Sequence, residues 1–150
     1  MIVEEGITKD NVKFYVVDKE HLIEELQKKK EEGWDYLVLM SGVDRREYLE
    51  VVYHLSSFSK KGLLIIKART KDETLPSANK LWNSATWFER EIYDLIGVKF
   101  EGHPNLKRLF LPEGWIGHPL RKDYDLKKEQ FVNMDDEGND VVSFDSKDGW

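Results

Sequence analysis

The sequence predicts an α+β fold: a small, mostly antiparallel sheet with helices packed on one face, followed by a long proline-containing extended C-terminal arm. Three observations predict it. Apolar, strand-like runs follow one another between residues 36 and 70, with connections too short for parallel crossovers. Two other segments, near residues 19–32 and 86–96, carry helical periodicity. Beyond residue 100 all periodicity stops, and Pro104, Pro112 and Pro119 punctuate the chain.

The elements follow in order. KFYVVD, residues 13–18, is a candidate first strand. Asp18 is placed to cap a helix through KEHLIEELQKKKEE, with Leu22, Ile23 and Leu26 as its apolar stripe and Gly33 as its end. Tyr36 to Met40 reads as a short apolar strand ending in the turn-like SGVD. Between Glu47 and Ser56 the residues alternate, with Leu49, Val51, Tyr53 and Leu55 on one face and Glu50, His54 and Ser56 on the other. His54 therefore falls on the more polar face, where no ligand role is expected. Gly62 opens LLIIKART, whose continuous apolar start predicts burial on both faces. Thr86-x-x-Glu89 reads as a capping box that starts a helix through WFEREIYDLI. Phe88, Ile92, Leu95 and Ile96 form its buried stripe, Gly97 ends it, and Glu89, Arg90, Tyr93 and Asp94 occupy the opposite side.

Three regions result: an α+β domain over 1–100, an extended docking arm over 101–128 and an acidic tail over 129–150, read as solvated and partly disordered. The tail holds seven acids against one base, so it carries the whole net charge of −6. The remaining body is neutral, which argues against nucleic acid as a partner. The arm is locally cationic, with six bases against three acids after Asn105. There is no cysteine, which excludes disulfides, thiolate nucleophiles and ordinary iron–sulfur ligation. No run approaches the roughly 18 apolar residues of a membrane span. An acidic start, MIVEEGITKD, lacks the basic n-region of an export signal, so a cytoplasmic location is expected.

Gly102-His103-Pro104 recurs as Gly117-His118-Pro119. As metal ligands, His103 and His118 would need Glu101, Glu113 or Asp123 to complete a set. Each histidine precedes a stiffening proline, and no helical pair holds the two together, so no metal is expected. Past the tripeptide the copies diverge, which rules out a structural repeat. Glu89 and Glu91 point about 160–200° apart on a helix and cannot share one substrate, so with Arg90 they read as an ion-pair network rather than an acid/base pair. Phosphate-binding glycine loops and the G-x-S-x-G elbow are missing. What remains is a stiff arm in which Leu109, Phe110, Leu111, Trp115 and Ile116 crowd together with Arg108, Arg121, Lys122 and Tyr124. These are the residue types of interface anchors. The residues alone leave two readings open, docking on a partner or folding back onto the chain's own core.

The segment LPSANKLWNSATWFEREIYDLIGVKFEGHPNLKRLFLPEGWIGHPLRKDYDL, residues 75–126, closely resembles the C-terminal half of the 30 kDa subunit of respiratory complex I, the NADH:quinone oxidoreductase. The run from Glu89 to Gly97 and the two GHP segments, Gly102 to Arg108 and Gly117 to Tyr124, carry the match. The resemblance implies a peripheral-arm subunit without cofactor or catalytic activity of its own. It would pack on the large quinone-site subunit beside iron–sulfur subunits, at the cytoplasmic side of the cell membrane and without inserting into it. There it would support assembly and electron transfer coupled to ion translocation. In the related membrane-bound energy-converting hydrogenases, the equivalent partner is the nickel–iron subunit. On this reading Glu89, Arg90, Glu91, His103, Arg108, Trp115, His118, Arg121, Lys122 and Asp123 are the partner-binding residues, with Asp94 a further member of the helix–arm junction. Two features depart from the family pattern: Asp125 follows Tyr124 where many relatives have proline, and the tail is short and acidic. The resemblance leaves the electron donor and acceptor of the parent assembly open.

Overall fold

A computed structural model describes residues 1–145. The chain opens with a hairpin of β1 (Ile2–Ile7) and β2 (Lys13–Val17). Asp18 accepts the His21 N–H at 3.0 Å, the cap expected of it, and a short turn leads into α1 (Leu22–Glu31). Next comes an antiparallel meander of β3 (Tyr36–Asp44), β4 (Leu49–Ser56) and β5 (Leu63–Thr70). Then β6 (Thr74–Pro76), α2 (Ala85–Ile96) and β7 (Lys99–Glu101) form a small crossover in which β6 and β7 pair in parallel. A hairpin of β8 (Phe131–Met134) and β9 (Asp140–Ser143) follows.

The main sheet has the order β1-β2-β5-β4-β3, and only the β2–β5 pair is parallel. Alternation sorts its residues. Val51, Tyr53 and Leu55 of β4 share a face with Ile66 and Ala68 of β5 and with Leu37 and Met40 of β3. Leu22 and Leu26 of α1 and Ile92 and Ile96 of α2 belong to the same buried cluster. Both helices thus cover one face, as the alternation predicts. Gly42 lets α2 settle on β3: a Cβ there would stand 2.9 Å from Ile92 Cγ2.

Several expectations need correction. β3 does not stop at Met40, because its pairing with β4 runs on through Gly42–Val51 to Asp44–Leu49, so SGVD is strand rather than turn. β1 carries little apolar signal and adds an edge strand to the expected sheet. Glu50 is buried on the sheet face expected to be polar, where Arg45 and Arg69 reach it at 3.1 and 3.0 Å. The capping box is not formed. Helix α2 starts at Ala85, one residue before Thr86, and Glu89 bonds a preceding turn instead.

Residues 102–128 form no helix or strand, in keeping with their lack of periodicity. They do not stand away from the domain as an extended arm, however, but return over the outer side of α2. The acidic tail is not formless over its described part: Asp135 accepts the N–H groups of Glu137 and Asn139 and closes the β8–β9 hairpin. Residues 146–150 of the expected tail lie outside the described residues.

Candidate interaction site

Helix α2 is packed on two sides. Ile92 and Ile96 face the sheet, and Glu89 and Asp94, expected on an open side, are both fully buried, Glu89 against the 77–78 turn before the helix and Asp94 beneath the returning chain. The Asp94 carboxylate is the centre of this second contact. Its Oδ2 accepts the backbone N–H groups of Leu109, Phe110 and Leu111 at 3.1, 2.7 and 3.0 Å. Its Oδ1 accepts from Arg108 Nη1 at 2.9 Å. Burial on its own would raise the Asp94 carboxyl. The Arg108 guanidinium and the three N–H donors outweigh it and hold the group below the ordinary carboxylate range. Arg108 continues outward, donating from Nη2 to the carbonyls of Trp115 and Gly117 at 3.0 and 2.8 Å. One turn back on the helix, Arg90 donates to the carbonyls of Lys107 and Arg108.

The twin GHP segments now have a physical reading. His103 Nε2 bonds the Thr86 carbonyl at 2.9 Å, and His118 Nδ1 bonds the Asp94 carbonyl at 2.9 Å. A carbonyl only accepts, so each of these ring nitrogens carries the proton. Both glycines are left-handed, with φ of 82° at Gly102 and 88° at Gly117, and each turns the chain to lay its imidazole on α2. Thr86 and Asp94 are about 12 Å apart along the helix axis. Two rings held that far apart cannot share an ion whose ligands stand about 2 Å away. Among the described residues no group of three or more His, Asp or Glu side chains is arranged to hold a metal.

Glu89 sits at the start of α2, its Oε1 taking the Ala78 N–H at 2.7 Å and its Oε2 the Ser77 hydroxyl at 2.6 Å. Burial pushes its carboxyl up to about 7 against these two hydrogen bonds. At the far end of the returning segment, Arg121 donates to Glu73 Oε1 at 2.9 Å and stands 3.6 Å from Asp44 Oδ2. Lys122 is exposed in its side chain while its backbone N–H bonds Asp44 at 2.8 Å, and Asp123 is exposed. Glu91 lies half-buried along a shallow groove between β3 and α2. Trp115 is half-buried, and its indole nitrogen is enclosed without a hydrogen-bond partner among the described residues.

Of the ten residues singled out in the sequence, eight therefore crowd around α2 or its C-terminal end with most of their polar groups engaged inside the chain, and Lys122 and Asp123 face outward. Asp44, Glu73 and Ser77 complete the cluster and carried no sequence signal, since each is an ordinary polar residue remote in the chain from its partners. The exposed surface over the same helix is aromatic. Trp87 is 59% and Phe110 65% exposed. The Arg90 guanidinium lies 5.1 Å from the Trp87 ring while it holds the 107–108 carbonyls beside Phe110.

These features define an α+β domain whose second helix is gripped from outside by its own C-terminal segment. Residues 15–130 match the family described as the respiratory-chain NADH dehydrogenase 30 kDa subunit, and the chain belongs to that family. It is 41% identical over 117 residues to the NADH-quinone oxidoreductase C subunit of Citrifermentans bemidjiense, across 74% of this chain and 73% of that one. It is 48% identical over 99 residues to the C subunit of Azorhizobium caulinodans, 65% of this chain but about half of the relative, at 47%. In Phocaeicola vulgatus the similar region, 40% identical over 73% of this chain, is 22% of a longer C/D subunit. Among solved structures, the trypsin-resistant fragment (1–134) of Nqo5 superposes with a TM-score of 0.63 at 31% identity, covering 69% of this chain and 89% of the fragment. A chain of the membrane-bound sulfane sulfur reductase, an archaeal respiratory membrane complex, superposes with a TM-score of 0.70 at 26% identity, covering 82% and 77%. The chain is thus a subunit type of complex-I-like, membrane-bound respiratory assemblies, and none of the helices among its described residues is long and apolar enough to cross a membrane.

Proposed function

We propose that this chain is a cofactor-free structural subunit that docks on the large quinone-site subunit of an NADH:quinone oxidoreductase-type complex, on its cytoplasmic side. It supports assembly there, and with it electron transfer coupled to ion translocation. The observation that carries the reading is the exposed Trp87–Arg90–Phe110 surface on the outside of α2, within the region that matches the family. Two exposed aromatic residues and a guanidinium fixed by backbone carbonyls are residue types of interface anchors. The residues beneath it, Glu89, Asp94, His103, Arg108 and His118, hold that surface in shape, and Lys122 and Asp123 offer charges at its far end. Of the partner-binding residues expected from the sequence, the internal ones thus act on the partner through the surface they support.

Affinity purification of the tagged full chain from cells, with and without Trp87→Ala and Phe110→Ala together, tests this. Wild type is expected to bring down the large subunit, and the double variant to lose it. Recovery of wild type as a free monomer would count against the docking role. NADH:quinone activity of the purified assembly distinguishes this parent complex from a hydrogenase, which would instead show hydrogen evolution and a nickel–iron subunit.

A further inference from the structure

We propose that Glu89, Ser77 and Asn79, backed by His103, form a buried proton-binding site at the start of α2 that exchanges one proton with solvent and makes the packing of α2 depend on pH. This goes beyond the docking role and does not rest on it.

The geometry provides a partner for Glu89 in both protonation states. Ser77 Oγ lies 2.6 Å from Glu89 Oε2 and 3.0 Å from Asn79 Oδ1. With Glu89 ionised, the hydroxyl donates to the carboxylate. With Glu89 protonated, the carboxyl O–H donates to Ser77 Oγ, and the hydroxyl turns to donate to Asn79 Oδ1. A hydroxyl is both donor and acceptor, so one rotation serves either state. Ala78 N–H donates to Oε1 throughout.

Among the described residues no fixed cation faces the carboxyl. From the 101–105 turn, His103 Nε2 stands 4.0 Å from Glu89 Oε2, but its proton is directed to the Thr86 carbonyl. Its Nδ1 accepts the Asn105 N–H at 2.9 Å while Nε2 donates to Thr86, so protonating Nδ1 would break the Asn105 bond. Glu101 of β7 is exposed. From α2 itself, Arg90 is turned to the carbonyls of Lys107 and Arg108, and Asp94 is paired with Arg108. Lys80, on the turn before the helix, is exposed. From β4, the Tyr53 hydroxyl is buried without a hydrogen-bond partner among the described residues, and burial together with the Glu89 charge raises its own ionisation. A carboxyl enclosed among neutral groups favours its protonated form, in line with a titration point of about 7.

The sign of the linkage follows. A carboxyl whose folded pKa lies above its unfolded value stabilises the fold at low pH, and that contribution is lost as pH rises through the folded value. The test is a pH titration of side-chain carboxyl resonances by NMR on the full chain, with Glu89 assigned by its disappearance in Glu89→Gln. A midpoint near 7 is expected, against roughly 4.3 for an ordinary glutamate. Ser77→Ala removes a hydroxyl whose bond to the charged carboxylate is stronger than its bond to the neutral acid, and is expected to move the midpoint up by about one unit, a tenfold change in proton affinity. Between about pH 4 and 7 the wild type should lose stability relative to Glu89→Gln. A Glu89 midpoint in the ordinary glutamate range would overturn the site, and a midpoint near 7 that ignores Ser77→Ala would overturn the hydroxyl's part in it. Should Glu89→Gln not fold, the wild-type and Ser77→Ala titrations still decide.

Discussion

Arg108 and Asp94 set the course of the chain outside α2: one ion pair of 2.9 Å fixes the guanidinium, whose other nitrogen holds the Trp115 and Gly117 carbonyls at 3.0 and 2.8 Å. The Arg108 side chain is 11% exposed and that of Asp94 fully buried, so neither partner has water as a substitute.

Breaking this pair is therefore costly. Arg108→Ala is expected to lower unfolding stability by about 3–5 kcal/mol, because a buried carboxylate loses its counter-charge. Arg108→Lys should recover only part of the loss, since an ammonium cannot reach Asp94 and two carbonyls in the same planar fork. Urea unfolding of the three chains measures this. Equal stability of all three would show that the pair contributes nothing.

Asp94 and Asp44 contribute to the acid limb of stability. Burial tends to raise both carboxyls, but N–H donors and nearby arginines hold both below the ordinary range. A depressed carboxyl contributes stability above its unfolded pKa of about 3.9, and the contribution is lost as pH falls through the folded value. Asp94→Asn should be less stable than wild type at neutral pH and close to it at the acid end. Thermal melts across that range check the convergence.

His118 leans on the backbone of Gly97, which ends α2 with φ of 92°, and a Cβ at Gly97 would stand 2.7 Å from His118 Cδ2. Gly97→Ala strains the left-handed cap and displaces the ring from the Asp94 carbonyl. A loss of about 1–3 kcal/mol is expected, together with a changed His118 ring signal by NMR. An unchanged ring environment would mean that the cap moves instead.

At the surface the outcome should reverse. Trp87→Ala with Phe110→Ala removes two largely exposed rings, so the isolated chain should melt within about 1 kcal/mol of wild type while recovery of its partner falls. By contrast, Arg121→Ala should destabilise the isolated chain, because its guanidinium joins Glu73 and Asp44 across the fold. A chain that loses Arg121 without loss of stability would place that residue on the interface after all.

Hydrophobic period alone determined the two helices, the three strands of the meander and the burial of one sheet face, because alternation and 3.6-residue spacing are local properties of the chain. The Asp18 cap was legible for the same reason. The GHP segments, the E-R-E run and Asp94 were legible as a group through their resemblance to a family, although what each side chain bonds was not. Tertiary structure alone decided that Glu89 meets Ser77 and not its own helix end, that SGVD continues a strand, and that β2 pairs with β5 in parallel. It also decided that the segment after residue 100 lies on α2. Aromatic and arginine-rich sequence reads the same whether its contacts are to another chain or to its own. The buried Asp94 carboxylate, aimed at three consecutive backbone N–H groups, is what ties the segment to its own chain.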